Sequence, residues 1–168
     1  IIHLAAGSHV DRSVIYPLEF VLDNVVGTCN ILDYARLQCK DLKLFLYFST
    51  DEVFGAAPAG VRFKENDRYN AGNPYAATKA GAEELCVAYE NTYSLPIIIT
   101  HTMNVYGPRQ HPEKFIPIII NRVLNDKELE IHSNPELTEA SKRHYLHSED
   151  VSKAILFLMY NHEIGEKY

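Results

Sequence analysis

The chain has 168 residues, 46% of them hydrophobic and 23% charged, and a formal net charge of -6. That length suits one domain with a real core and is too short for two large ones. The acidic balance and the lack of any Lys/Arg run argue against nucleic-acid binding, while the longest apolar stretches, "LKLFLYF" and "FIPIII", fall far below the roughly 20 residues that span a membrane.

In chain order, "IIHLAA" (1–6) reads as a buried strand, with no basic-plus-apolar signal-peptide pattern at the start. Pro17 then opens a helix over 17–39, in which Phe20, Leu22, Val25, Val26, Cys29, Leu32 and Ala35 recur at helical spacing. Gly27 inside it costs about 1 kcal/mol against alanine, which predicts close packing on a sheet. "LKLFLYF" (42–48) is the second buried strand, and 55–73 a long loop of the kind that is usually functional or mobile. Pro74 opens a helix over "PYAATKAGAEELCVAYENTY", rich in Ala and Glu, and "PIIIT" (96–100) is the next strand. A loop "TMNVYGPRQHPE", a helix around 114–125, a short strand "LEIH" (129–132) and a polar stretch 133–142 follow. The last helix starts at Ser148, an N-cap candidate with Glu149 and Asp150 suited to a helix N-terminus.

Apolar runs alternating with helices predict an α/β fold, a doubly wound, mostly parallel sheet joined by right-handed crossovers. Ligands bind such sheets outside the carboxyl ends of the strands, which places "AAGSH", "STDEVFG" and "HTMNVYGP" on one rim. Cys29, Cys39 and Cys86 are few, odd in number and far apart, fitting buried thiols in a reducing compartment such as the cytoplasm rather than a disulfide framework. Eight histidines contain no H-x-x-x-H or H-E-x-x-H pair, so no metal site is expected.

Two short stretches carry chemistry. In "YAATK", Tyr75 and Lys79 lie four apart on one helix face. A nearby ammonium favours a phenolate, which would bring Tyr75 into range as a base, although the same spacing also occurs in solvated surface pairs. In "STDEVFG", Asp51 and Glu52 are adjacent carboxyls, and two carboxyls held close raise the pKa of one member. One could then serve as acid while its neighbour serves as base.

With "HLAAGSHVDRS" and "NVYGPRQHPEKFIP" in order beside them, these stretches resemble the nucleotide-sugar 4,6-dehydratases of the extended short-chain dehydrogenase/reductase group over essentially the whole chain. The resemblance implies a Rossmann-like fold with NAD as cofactor and an NDP-glucose, dTDP- or UDP-linked, as substrate. It implies oxidation at C4, loss of water across C5 and C6, and return of hydride to C6, with Thr50, Asp51, Glu52, Tyr75 and Lys79 as the catalytic set. Tyr75 takes the 4-hydroxyl proton with Lys79 lowering its pKa, Glu52 takes the C5 proton, Asp51 protonates the departing 6-hydroxyl, and Thr50 steadies the sugar. Leu4, Ala5, Ala6, Ser49, Tyr75 and Lys79 are the implied cofactor-binding residues, and Ser8, Thr50, Asn104, Glu113, Lys114 and Arg143 the substrate-binding ones. A rhamnose precursor is the kind of product expected, and a homodimer through helices 17–39 and 74–94, with Phe20, Val21, Leu85 and Tyr89 available, is the expected assembly.

Departures from the family accompany the match. Its G-x-x-G-x-x-G phosphate-binding turn and first βαβ unit would precede Ile1, so a central fragment of a longer enzyme is expected. Residues 1–102 then form the rest of the NAD-binding domain, 103–147 mainly substrate-binding elements, and 148–168 a helix returning toward the first, with "GEKY" approaching another strand. Gly7 stands where these enzymes commonly carry glutamate, and "HTMN" replaces an Arg-containing stretch. The alternatives are a 4-epimerase or uronate decarboxylase of the same group, which need Tyr75 and Lys79 but no acid at C6, and a non-catalytic binding module.

Overall fold

The computed structural model describes residues 1–168 except 59, 132 and 141. The chain divides into two compact units, Ile1–Thr102 with Met159–Tyr168, and Met103–Leu158.

In the first unit, β1 (Ile2–His3), β2 (Phe45–Thr50) and β3 (Ile97–Thr102) form a parallel sheet in the order β1-β2-β3. Ile2 pairs with Leu46, and Phe45 through Thr50 pair with Ile97 through Thr102. β2 is the central strand, and Phe45, Leu46 and Tyr47 are almost completely buried, which is why its sequence is an apolar run rather than an alternation. The predicted approach of the C-terminal residues to a strand is present as a parallel bridge between Ile99 and Lys167, with Tyr168 N–H donating to the Ile99 carbonyl at 2.9 Å.

The helices between the strands are α1 (Val10–Ile15), α2 (Pro17–Phe20), α3 (Gly27–Gln38) and α4 (Pro74–Tyr93). Leu32 and Ala35 of α3 and Ala82 and Cys86 of α4 pack with Phe45, Tyr47, Ile97 and Ile99, so both helices cover one sheet face. α4 begins where Pro74 takes a first-turn position and the Asn73 side chain caps the Ala76 N–H at 2.8 Å. It stops at Ser94, in the left-handed conformation at φ 55°.

The predicted single helix over 17–39 is interrupted. Val21–Val26 widens into a π-helical segment in which Asn24 is buried. A short helix precedes Pro17, because the residue before a proline disfavours continued α geometry. Gly27 is not pressed on the sheet: a Cβ there would meet only the Leu22 carbonyl oxygen, at 3.6 Å. Phe20 is buried and unavailable as an interface residue, its ring edge 3.2 Å from where a Cβ on Gly7 would lie. Leu85 and Tyr89 are partly buried against the core, and Val21 is exposed.

In the second unit, β4 (Asn104–Tyr106) pairs in parallel with β5 (Tyr145–His147), and α5 (Phe115–Leu124) lies between them in sequence. The helix α6 (Ser148–Tyr160) begins at the predicted Ser148. Of the expected strand at 129–132, residues 129–131 have no regular structure, and 132 lies outside the described residues. Leu129 and Ile131 flank Glu130 in an alternating pattern but find no partner strand among the described residues.

Candidate active site

"STDE" leaves β2 into a 3₁₀ turn, Asp51–Phe54, started by Thr50, whose Oγ1 accepts from the Glu52 N–H at 3.3 Å. Val53 and Phe54 turn back into the core. The turn thereby presents Asp51 and Glu52, both half-buried, at the carboxyl end of the central strand. Gly55 follows with φ 76°, and a Cβ there would collide with the Asn70 carbonyl oxygen, so glycine is needed for the chain to enter the loop.

The predicted residues meet at this rim. Thr50 Oγ1 donates to Asp51 Oδ1 at 3.3 Å, and its hydroxyl is near enough to the Tyr75 phenol to pull the phenol's pKa down. Asn73 Nδ2 donates to Glu52 Oε2 at 3.1 Å, so the residue that caps α4 also orients the second carboxylate. Tyr75 is held from its backbone, its N–H donating to Ser13 Oγ at 3.1 Å, while Ser13 donates to the Val10 carbonyl.

Lys79 is buried, its ammonium donating to the Phe48 carbonyl at 2.7 Å and lying 4.2 Å from the Tyr47 ring centroid. Burial lowers its pKa to about 8, against the opposing effect of Glu83 one turn along the helix. Tyr75 behaves differently from the sequence expectation. Its phenol is pushed up to about 12, chiefly by burial, with the Thr50 hydroxyl pulling it down and Glu52 and Asp51 raising it. Lys79, whose ammonium donates to the Phe48 carbonyl, is not among the groups that lower it.

The hydroxyl of Ser49, a residue expected at the cofactor, donates to Glu83 Oε1. Leu4, Ala5, Ala6 and Ser8 lie exposed after β1. Asn24 pins that segment by accepting from Gly7 N–H at 2.7 Å and donating to Gly7 O at 3.0 Å. Its amide also donates to Thr78 Oγ1 at 2.9 Å.

Asn104, Glu113, Lys114 and Arg143 belong to the second unit. Asn104 Nδ2 donates to the His144 carbonyl at 3.4 Å, so Asn104 and Arg143 share one end of the two-stranded ladder. Lys114 is the N-cap residue of α5, directly after Glu113.

Four contributors escaped the sequence reading. Asn73 had a visible signal, an Asn before the Pro that opens a helix. Glu83 had one too, since Tyr75, Lys79 and Glu83 form an i, i+4, i+8 stripe. Ser13 and Asn24 act through long-range contacts that no local pattern reveals. Among the described residues, no His/Cys/Asp/Glu group could hold a metal ion.

The sequence matches the NAD dependent epimerase/dehydratase family over residues 1–168. The chain belongs to that family. A dTDP-D-glucose 4,6-dehydratase from Dictyostelium discoideum is 39% identical, aligned to 100% of this chain and 40% of its own length. The dTDP-glucose 4,6-dehydratase DesIV of Streptomyces venezuelae, solved with NAD bound, superposes with a TM-score of 0.91 at 36% identity, covering 100% of this chain and 50% of DesIV. A UDP-glucuronic acid 4-epimerase from Bacillus cereus, also solved with NAD, gives 0.87 at 27% identity, over 99% of this chain and 52% of its own. The chain therefore spans about half the length, or less, of these relatives. Their fold is the parallel α/β fold described above, and no helix of the described residues is long and apolar enough to cross a membrane.

Proposed function

We propose that the protein carrying this chain dehydrates an NDP-glucose, dTDP- or UDP-linked, to the NDP-4-keto-6-deoxyglucose. The observation that carries this reading is the convergence of Thr50, Asp51 and Glu52 on the helix start that holds Tyr75 and Lys79. A 4-epimerase needs the tyrosine and lysine but no acid beside carbon 6, and the second carboxyl would have no task in it.

NAD fits the residues present. Lys79 has three N–H donors, one of them on the Phe48 carbonyl, which leaves capacity for ribose hydroxyls at the rim. The exposed Leu4-Ala5-Ala6 segment offers small side chains over which a cofactor backbone can lie close, with Gly7 pinned behind it by Asn24. Bound NAD would supply the hydride exchange that the reaction needs at carbons 4 and 6.

The residues supply the proton chemistry. Tyr75 accepts the 4-hydroxyl proton through the small phenolate fraction that a pKa near 12 leaves, and Thr50, bonded to Asp51, steadies that hydroxyl. A ketone at carbon 4 acidifies the carbon 5 proton, which Glu52 removes, oriented by Asn73. Asp51 gives its proton to the departing 6-hydroxyl, so the elements of water leave with the C–O bond broken and a C5–C6 double bond formed. Ser8 in the first unit and Asn104, Glu113, Lys114 and Arg143 in the second are assigned to the substrate, the cations to its diphosphate through charge-assisted bonds.

Residues 1–102 are assigned to cofactor binding and catalysis, 103–147 to substrate binding, and 148–168 to the return of the chain; the division at Thr102/Met103 supports the first boundary. We assign a homodimer as the assembly, supported by the exposed apolar side chains of Leu18, Val21, Leu22 and Val26 along the helical stretch that Pro17 opens. A cytoplasmic setting accords with three free thiols. The test is to incubate the complete protein with NAD and with dTDP- or UDP-glucose and to measure the alkali-induced absorbance of a 4-keto-6-deoxy sugar. Signal with either substrate supports the reading. Its absence with both, alongside a 4-epimer product, transfers the assignment to the epimerases.

A further inference from the structure

Behind the rim, Glu83 forms a buried hub that the proton chemistry above does not use. Its side chain is 0% exposed. Oε1 accepts from the Ser49 hydroxyl, and Oε2 accepts from the Tyr69 hydroxyl and from His101 Nε2, the latter at 2.9 Å. An ionised carboxylate can only accept, so His101 donates through Nε2, while His101 Nδ1 is buried without a partner among the described residues.

The three donors come from three different segments. Ser49 directly precedes Thr50-Asp51-Glu52, Tyr69 lies near the end of the 55–73 loop, and His101 is in β3. Tyr69 in turn accepts from Lys167 Nζ at 2.5 Å, and the rings of Phe54, Tyr69 and His101 pack on one another. Lys79 lies one helical turn before Glu83, so the buried carboxylate also faces the buried ammonium.

We propose that Glu83 is a positioning residue: it fastens the end of β2 and the returning loop to α4, and so fixes where Thr50, Asp51 and Glu52 stand relative to Tyr75 and Lys79. Loss of the carboxylate leaves buried donors mismatched while removing no group that touches substrate. The inference rests on the dehydratase reading only for the reaction assayed.

The test compares wild type, Glu83→Gln and Tyr69→Phe in the complete protein. In E83Q, kcat falls at least about tenfold with KM within about twofold, because binding groups stay in place while the reacting geometry loosens. In the protein without cofactor, amide hydrogen exchange of 66–73 and 49–54 rises at least about tenfold in E83Q and less in Y69F, while 80–90 in α4 stays near wild type. Unchanged kcat and exchange overturn the proposal, and so does a KM rise with kcat intact or an exchange increase spread evenly over α4. Should E83Q not fold, Y69F decides by the same criteria. If the wild type yields a 4-epimer instead of the 4-keto-6-deoxy sugar, the dehydratase reading fails but the mutant-to-wild-type ratio for epimer formation still tests Glu83; if it yields neither, the exchange pattern decides.

Discussion

The Lys79 ammonium donates to the Phe48 carbonyl oxygen at 2.7 Å, at the end of the central strand. The lysine is thus anchored by backbone one residue before Ser49 and two before Thr50. Its distance from bulk water makes it a titrating group: burial lowers its pKa to about 8 from an ordinary 10.5. Because the folded value lies below the unfolded one, the unfolded chain binds more protons between about pH 8 and 10.5, and the Lys79 contribution to stability rises with pH across that window. Denaturant unfolding of wild type and Lys79→Met should diverge there, wild type gaining on the order of 1 kcal/mol per pH unit relative to K79M. Parallel curves contradict the burial.

Asn73 has two jobs that substitution separates. Asn73→Ala removes both the cap on α4 and the bond to Glu52, and should cost about 1 kcal/mol of stability. Asn73→Asp keeps a capping oxygen but sets a carboxylate against Glu52, so stability should hold within a few tenths of a kcal/mol while turnover falls about tenfold or more. Thermal unfolding and steady-state kinetics on both variants read the two effects independently.

Gly55 holds φ at 76°, and a Cβ there collides with the Asn70 carbonyl oxygen, whose own N–H donates to the Val53 carbonyl at 2.9 Å. Gly55→Ala should therefore destabilise by about 1–3 kcal/mol and loosen the loop that follows the two carboxylates. Denaturant titration measures the first, and hydrogen exchange over 66–73 the second.

Much of this was legible in the sequence, for identifiable reasons. β2 and α4 were visible because an apolar run and an Asn-Pro start followed by Ala and Glu are local signals that tertiary packing reinforces. The convergence of "STDE" on Tyr75 followed from topology, since parallel strands place their carboxyl ends on one rim. The break at Val21–Val26 was not legible, because it serves Asn24, whose partners Gly7 and Thr78 are far away in sequence. The strand expected at 129–132 had a plausible local pattern, but among the described residues 129–131 find no partner strand. The electrostatics of Tyr75 depended on where Lys79 points, and spacing alone fixes a helix face, not a hydrogen bond.

Asp51 separates elimination from oxidation. Asp51→Asn is nearly isosteric and keeps an acceptor for the Thr50 hydroxyl, yet cannot protonate a leaving group. In the complete protein it should lose about 100-fold or more in formation of the 4-keto-6-deoxy product, while reduced nicotinamide still builds up in a single turnover. Full dehydratase turnover in D51N would remove Asp51 from the acid role.

The most direct measurement is turnover of the NDP-glucose by the complete protein in deuterated water, with the product examined by NMR. Removal of the carbon 5 proton by Glu52 and its replacement from solvent predicts deuterium at carbon 5 in a product that has lost its 6-hydroxyl. A product that keeps the 6-hydroxyl, is inverted at carbon 4 and carries no deuterium at carbon 5 would contradict the account.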